Sequence, residues 1–491
     1  MSGAIRDDNP VVIGLSTPTS DPRRPSPGWW RSRILALRQR RDDDAGLSMV
    51  ELIVAMSIFA MVSTAFAYGL GMALVTTRDD RLRGQASNLA SRELEIVRNE
   101  FNSSTSAPMS LGNSGLVTNP HQLPGATQGQ PLVVDGTAFT IRRNVQWLPA
   151  GTGASVCDGG SGVTYPSLAV NVRTSWTEGT RTRDVESNTI LTPPKGTLTS
   201  NLGFIAAKLT GADGNGVPDV PVTARLGGAT SSATTAEDGC AVFALSTAGT
   251  YTVELNATNY VSFEGTQATQ KTAVVSPSTI QIVPFSYDRA ATLNLHQRTA
   301  EGFALPTQLP MFVLYNSGLV SGGLKTVAAT LPASSPTTVT PLWPFTNGYS
   351  VWAGSCPESD PGGTGTRPAA VVPAAGGTET AYADLHPITI SLMHEDEPRA
   401  GRTLRATAVN ATPATNGDPV LATGCGSDSQ LNLGTTDTAG ILKTSLPRGT
   451  WLIEAFEGST LVARGTSPTL AEPVDTQGNF DTSIQMTLVV P

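Results

Sequence analysis

The chain holds little of what enzymes and nucleic-acid binders are usually built on. Aromatic residues are 6% of its 491 residues and charged residues 15%, both low. Histidine occurs four times, at His121, His296, His386 and His394, and none lies in an HExxH or other metal-fixing spacing. No CxxC occurs, which argues against a zinc ribbon or a dithiol redox motif. A G-x-S-x-G elbow, a P-loop and a dinucleotide fingerprint are all missing. Formal net charge is −8; residues 1–46 carry eight Arg and six Asp, or +2, which leaves −10 for the rest. An acidic body argues against a nucleic-acid partner. Together these absences predict no catalytic site, no metal and no cofactor.

Ser, Thr, Ala, Gly and Val are abundant instead, which suits exported β-rich modules. The length sets a prior of three or four domains. The four cysteines, Cys157, Cys240, Cys356 and Cys425, all follow the longest apolar run. An even number in an exported segment allows two disulfides with three possible pairings; four buried thiols are the alternative. A Cys356–Cys425 bridge would lock two neighbouring modules.

Residues 1–28 are rich in Pro, Ser and Asp and read as disordered. Five Arg follow between Arg31 and Arg41, which keeps this end cytoplasmic by the positive-inside rule. Leu52 to Val75 is free of charge and long enough to cross a bilayer, with the span placed at 49–76. Beyond it Leu82, Ala86, Leu89, Ala90, Glu93, Leu94, Val97 and Phe101 recur at helical spacing between charged positions. No proline interrupts, so one helix of about 50 residues is expected, half apolar and half amphipathic. A cleaved secretory signal would have a shorter core. A lipoprotein would need a cysteine just after the core. A plain signal anchor fits the length but leaves Gly46 and Glu51 unexplained.

Residues 46–52, "GLSMVEL", resemble the type IV prepilin cleavage motif: Gly, an apolar residue, variable positions, then Glu as the fifth mature residue. "QASNLASRELEIVRNE" is further similar to PilV-like minor pilins and pseudopilins. The resemblance implies a cut between Gly46 and Leu47 by a prepilin peptidase on the cytoplasmic side, and methylation of the new amine. It also implies that Glu51 meets a subunit's N-terminal amine inside a filament, where an unpaired carboxylate in apolar surroundings would be unfavourable. Leu47 departs mildly from the family's usual Phe, and a 46-residue leader is long for it.

After Phe101 the pattern turns to strands. "LVVDGTAFTI" places Asp135–Gly136 as a hairpin turn. Leu168, Val170 and Val172 alternate on one face, "TEGT" turns, and "TPPKG" at 192–196 reads as a linker. An internal repeat follows: "TTAEDGCAVFALSTAGTYTVEL" from 234 and "TTDTAGILKTSLPRGTWLIEAF" from 435. Gly239 matches Gly440, Leu245 matches Leu446, Gly249 matches Gly449, Tyr251 matches Trp451 and Glu254 matches Glu454. This pattern resembles carboxypeptidase-regulatory-like and transthyretin-like β-sandwiches.

The expected fold class is therefore α+β: a long N-terminal transmembrane and amphipathic helix, a β-rich pilin-like head and tandem Ig-like sandwiches. Expected boundaries are a leader at 1–46, the helix at 47–101, the head at 102–195, a sandwich at 196–288, a β module with a mobile Pro/Gly loop at 289–388, and a C-terminal sandwich at 389–491.

Other candidate sites read as ordinary structure. "HEDE" at 394–397 could bind a cation but suits a solvated linker better. "DGNG" at 213–216 lacks the remaining ligands of a calcium loop and suits a β-turn. Lys208, Glu254 and Asn294 could form an isopeptide trio, but Glu254 sits one residue off the usual spacing, which flips its strand face. "LPAGTG" at 148–153 is internal and is not a sortase site. The expected function is a minor pilin or pseudopilin subunit with Gly46, Leu47 and Glu51 as its processing and assembly residues. Expected partners are prepilin peptidase, other pilin subunits with their assembly machinery, the membrane, and a surface or glycan ligand. The rival is an uncleaved membrane-anchored surface adhesin whose sandwiches do the binding.

Overall fold

The computed structural model describes residues 48–148, 156–159, 166–193, 202–363, 365–474 and 479–490. One long apolar N-terminal helix is followed by a large β-rich region of several sheets. The segment up to Arg81 and the body from Leu82 are separate compact units.

The helix runs Met49–Phe101, 53 residues without a proline. From Met49 to Val75 its large apolar side chains are all exposed. Its polar groups there are satisfied within the helix: the hydroxyls of Ser57, Thr64, Thr76 and Thr77 each donate to the carbonyl four residues earlier, at 2.8–2.9 Å. The buried residues of the helix are Leu82, Ala86, Leu89, Ala90, Glu93, Leu94, Val97 and Phe101, the eight positions that the helical spacing picks out.

That buried face packs on a five-stranded antiparallel sheet in the spatial order Gly115–Thr118, Thr137–Leu148, Ser167–Glu178, Arg181–Leu191. Leu132–Val134 joins Thr137–Leu148 through the Asp135–Gly136 turn, whose φ angles of +49° and +77° suit a tight hairpin. Leu168, Val170 and Val172 all point into the core. The head does not end where its own strands do. Trp147 meets Phe204 edge-on at 5.7 Å, and Leu202, Phe204, Ala206, Cys240, Val242 and Ala244 complete the same core. Of the proposed linker at 192–196, residues 194–196 lie outside the described residues.

The strand Gly203–Thr210 is buried on both faces. One face completes the head core, and Ile205, Ala207 and Leu209 enter the next. This explains its near-continuous apolar run, which shows no alternation. Its sandwich has two four-stranded sheets. One runs Thr269–Val275, Gly249–Leu255, Pro221–Leu226, Ala229–Thr234; the other runs Tyr260–Ser262, Ile280–Arg289, Gly203–Thr210, Cys240–Leu245. The C-terminal sandwich repeats the plan, with Gln430–Thr435, Thr403–Val409, Thr450–Glu457 and Thr460–Thr466 facing a sheet built on His386–His394.

The repeat in sequence is a repeat in bonding. Thr235 and Thr436 are both buried. The Thr235 hydroxyl accepts from Val220 N–H at 2.9 Å and donates to Val217 C=O at 2.7 Å. The Thr436 hydroxyl accepts from Arg402 N–H at 3.0 Å and donates to Arg399 C=O at 2.7 Å. Gly239 and Gly440 turn at φ +76° and +68°. Tyr251 Oη and Trp451 Nε1 each donate to the carbonyl four residues upstream, on Thr247 and Pro447. Glu254 pairs with Arg225 and Glu454 with Arg405.

Between the sandwiches lie two three-stranded sheets, Thr337–Leu342, Ala291–Arg298, Thr378–Asp384 and Leu324–Val327, Phe312–Tyr315, Ser350–Ala353. All three modules close alike, the last long strand lying parallel beside the first. Junctions are short: Ala290 alone separates the strands Ile280–Arg289 and Ala291–Arg298, and Leu385 alone separates Thr378–Asp384 and His386–His394. The expected boundary at 388/389 therefore falls inside a strand, and the junction is at Leu385. A one-residue connection leaves no turn signal between the two strands. The stretch 356–378, expected as a mobile loop, makes specific contacts at its described residues. Arg367 holds Asp360, and Val371 pairs with Tyr349.

Candidate functional site

Three places carry the chemistry: the start of the helix, a buried ionic cluster under it, and the joints between modules. Gly46 and Leu47 lie outside the described residues. The helix begins just after Ser48, whose carbonyl accepts from Leu52 N–H at 3.1 Å. Glu51 stands exposed in the first turn, where the unpaired amides of a helix N-terminus favour negative charge. Its side-chain neighbours along the helix are apolar, so the carboxylate is the one charged group on this apolar surface before Arg78.

The second place was not foreseen as a site, although Glu93 was placed on the buried face. Glu93 is fully buried. His121 Nδ1 lies 2.9 and 3.1 Å from its two oxygens, and His121 Nε2 lies 2.9 Å from Glu100 Oε1. Arg143 Nη1 bridges the same two carboxylates at 3.5 and 3.2 Å. Arg92 donates to the carbonyls of His121 and Gln122. The cluster joins helix, loop and central strand of the head. A glutamate on the apolar face of an amphipathic helix was the available signal; its partners lie 28 and 50 residues away in sequence.

At the joints, Cys157 bridges to Cys240, tying head to first sandwich, and Cys356 bridges to Cys425, tying third module to last. Asp428, 2% exposed, accepts from the N–H groups of Met311 and Ser355 at 2.9 Å each and from the Ser355 hydroxyl. Beside this joint opens a cleft of about 670 Å³, lined by residues of both modules. Arg298 pairs with Asp384, Arg367 with Asp360 and Arg448 with Glu472. Burial pushes the Asp360 carboxyl up, but Arg367 and the Gly362 N–H together hold it below its ordinary value. Burial pushes the Glu472 carboxyl up despite Arg448.

The remaining candidates are structural. Among the described residues, no group of three His, Cys, Asp or Glu is placed to hold a metal ion. "HEDE" is a tight turn at Glu395–Asp396 between paired strands, with exposed carboxylates. Asp213 closes a turn on Asn215, whose N–H and side-chain amide lower its carboxyl. Lys208, Glu254 and Asn294 do not meet: they pair with Asp158, Arg225 and Thr338 respectively. Residues 149–153 of "LPAGTG" lie outside the described residues.

Residues 41–67 match the family described as the prokaryotic N-terminal methylation motif. No curated protein matches the chain. Among solved structures, the TIE protein of Bacillus anthracis is 12% identical over 76% of this chain and 74% of its own, with a TM-score of 0.20. The major pilin subunit BcpA of Bacillus cereus is 11% identical over 59% of this chain and 100% of its own, with a TM-score of 0.18. The major pilin SpaD of Corynebacterium diphtheriae is 10% identical over 59% and 97%, with a TM-score of 0.16.

Proposed function

We propose that this chain is a prepilin-like subunit, cut between Gly46 and Leu47 by a prepilin peptidase and built into a type IV pilus-like filament or pseudopilus. The observation that carries this is the methylation motif at 41–67 running into a helix of two characters. From Met49 to Val75 the large apolar side chains of the helix are exposed among the described residues, as a segment that moves from lipid into a bundle of like helices requires. From Leu82 to Phe101 it forms part of the core of a β-rich head. The role is structural: the chain is a peptidase's substrate and has no chemistry of its own to perform.

Three modules beyond the head are bulky for a shaft subunit repeated every few ångströms. The place we propose is the tip, or low copy along the filament. In the membrane before assembly the arginine-rich end stays cytoplasmic and the body is exported. After assembly the body meets the surroundings, where the C-terminal modules contact a surface or a glycan.

Glu51 acts in assembly: its carboxylate meets the methylated amine of Leu47, in its own or a neighbouring subunit, and sets the axial register of packed helices. The test is Glu51→Ala in native cells. The variant is expected to insert and be cleaved normally but to be lost from sheared filaments. Normal filament entry by the variant would sink the role given to Glu51.

A further inference from the structure

We propose that the cleft between the third and last modules binds a short neutral oligosaccharide. Its size falls in the range of small-molecule sites, about 300–1,000 Å³. The three arginines are each matched by a carboxylate, Arg298 by Asp384, Arg367 by Asp360 and Arg448 by Glu472. Asp384 and Glu472 stand in the lining with their arginines, and Asp360 holds Arg367 from behind the wall, so each of the three cations already has a carboxylate partner. The two-point pairing of Arg298 with Asp384 and of Arg367 with Asp360 holds those guanidinium and carboxylate planes fixed. Donors and acceptors side by side suit vicinal hydroxyls, each of which donates and accepts.

An apolar platform stands beside them. Tyr382 is 50% exposed, and the Arg298 guanidinium lies 4.7 Å from its ring centre and 6.0 Å from that of Phe480. The ring is flanked by Arg298 and by His296, whose ring centre is 5.9 Å away, and its exposed half offers apolar surface to the C–H groups of a sugar beside a polar hydroxyl. The walls are set before any ligand arrives. The Cys356–Cys425 bridge and Asp428 clamp the two modules, and Ser359 Oγ donates to Arg448 C=O at 2.8 Å. Stacking on Tyr315 at 3.6 Å fixes Arg367. Pre-set groups lose little freedom on binding, which matters for weak ligands such as sugars.

This places the surface contact of the proposed function and names its ligand class; it rests on that reading for its setting only. The test uses the full chain in a zwitterionic detergent, because maltoside detergents would compete. Maltotriose, cellotriose and triacetylchitotriose serve as neutral probes and sialyllactose as an anionic one, read by saturation-transfer NMR and titration calorimetry. Saturable binding of a neutral trisaccharide is expected, weakened at least tenfold in Tyr382→Ala and in Arg298→Lys, and unchanged in Val133→Ala on the head. No saturable binding of any neutral probe would overturn the proposal. So would a preference for sialyllactose, or binding indifferent to both cleft variants. Glu51→Ala is expected to bind sugar normally and Tyr382→Ala to enter filaments normally, so failure of this inference and failure of the filament reading remain distinguishable.

Discussion

Replacing Glu93 by alanine removes the carboxylate that His121 and Arg143 share at the centre of the head. Arg143 is 6% exposed and keeps Glu100 alone as a partner, at 3.2 Å. Breaking a buried ion pair from one side costs about 3–5 kcal/mol, because the remaining charge stays buried and under-compensated. At about 1.4 kcal/mol per decade this is two to nearly four orders of magnitude in the local opening equilibrium. Native-state hydrogen exchange over Leu82–Phe101 reads that equilibrium directly. Glu95→Ala is the control: its pair with Arg98 is exposed, at 64% and 45%, and such pairs contribute below about 1 kcal/mol. A combined Glu93→Leu, His121→Leu, Arg143→Met variant, which removes the buried charges and leaves only the 38%-exposed Glu100, should recover much of the protection. If Glu93→Ala changed protection no more than Glu95→Ala does, the cluster would not be what docks the helix on the head.

Three further outcomes follow from the joints and turns. Replacing Cys157 and Cys240 by serine opens a loop of 83 residues, worth about 4–5 kcal/mol in closure entropy, and should lower the midpoint of thermal unfolding. Asp428→Ala should cost about 3 kcal/mol in chemical denaturation, because its backbone donors are left without their acceptor, whereas Asp418→Ala in an exposed turn should change little. Gly239→Ala should destabilise more than Gly440→Ala: both sit at positive φ, but a Cβ would lie 2.2 Å from Leu209 O in the first and 2.8 Å from Arg399 N in the second.

The helix was legible because a 3.6-residue period is local: the eight positions on its buried face can be read without knowing what they bury against. The repeat was legible for a related reason. The turn glycines at 239 and 440 are demanded by positive φ and the inward aromatics at 251 and 451 by the core they fill, and both leave a trace in residue type. What could not be read was pairing at a distance. Nothing near Glu93 announces His121 or Arg143, and nothing near Asp384 announces Arg298, 86 residues earlier. The pairings of the four cysteines stayed open for the same reason. The junction at Leu385 was hidden because a one-residue connection has no room for the Gly and Pro signals that mark longer linkers. The third module carries no copy of the repeat, yet its closing strand lies parallel to its opening one as in its neighbours. Topology there persists without the sequence marks that would reveal it.

Cleavage after Gly46 is what makes a chain of this kind a filament subunit. The N-terminal peptide of the protein, isolated from its native cells and weighed by mass spectrometry, tests this most directly. A peptide beginning at Leu47 and carrying an added methyl group on its amine is the predicted result. An intact leader, or a terminus beyond Val75, would contradict prepilin processing, and with it the pairing of Leu47 and Glu51.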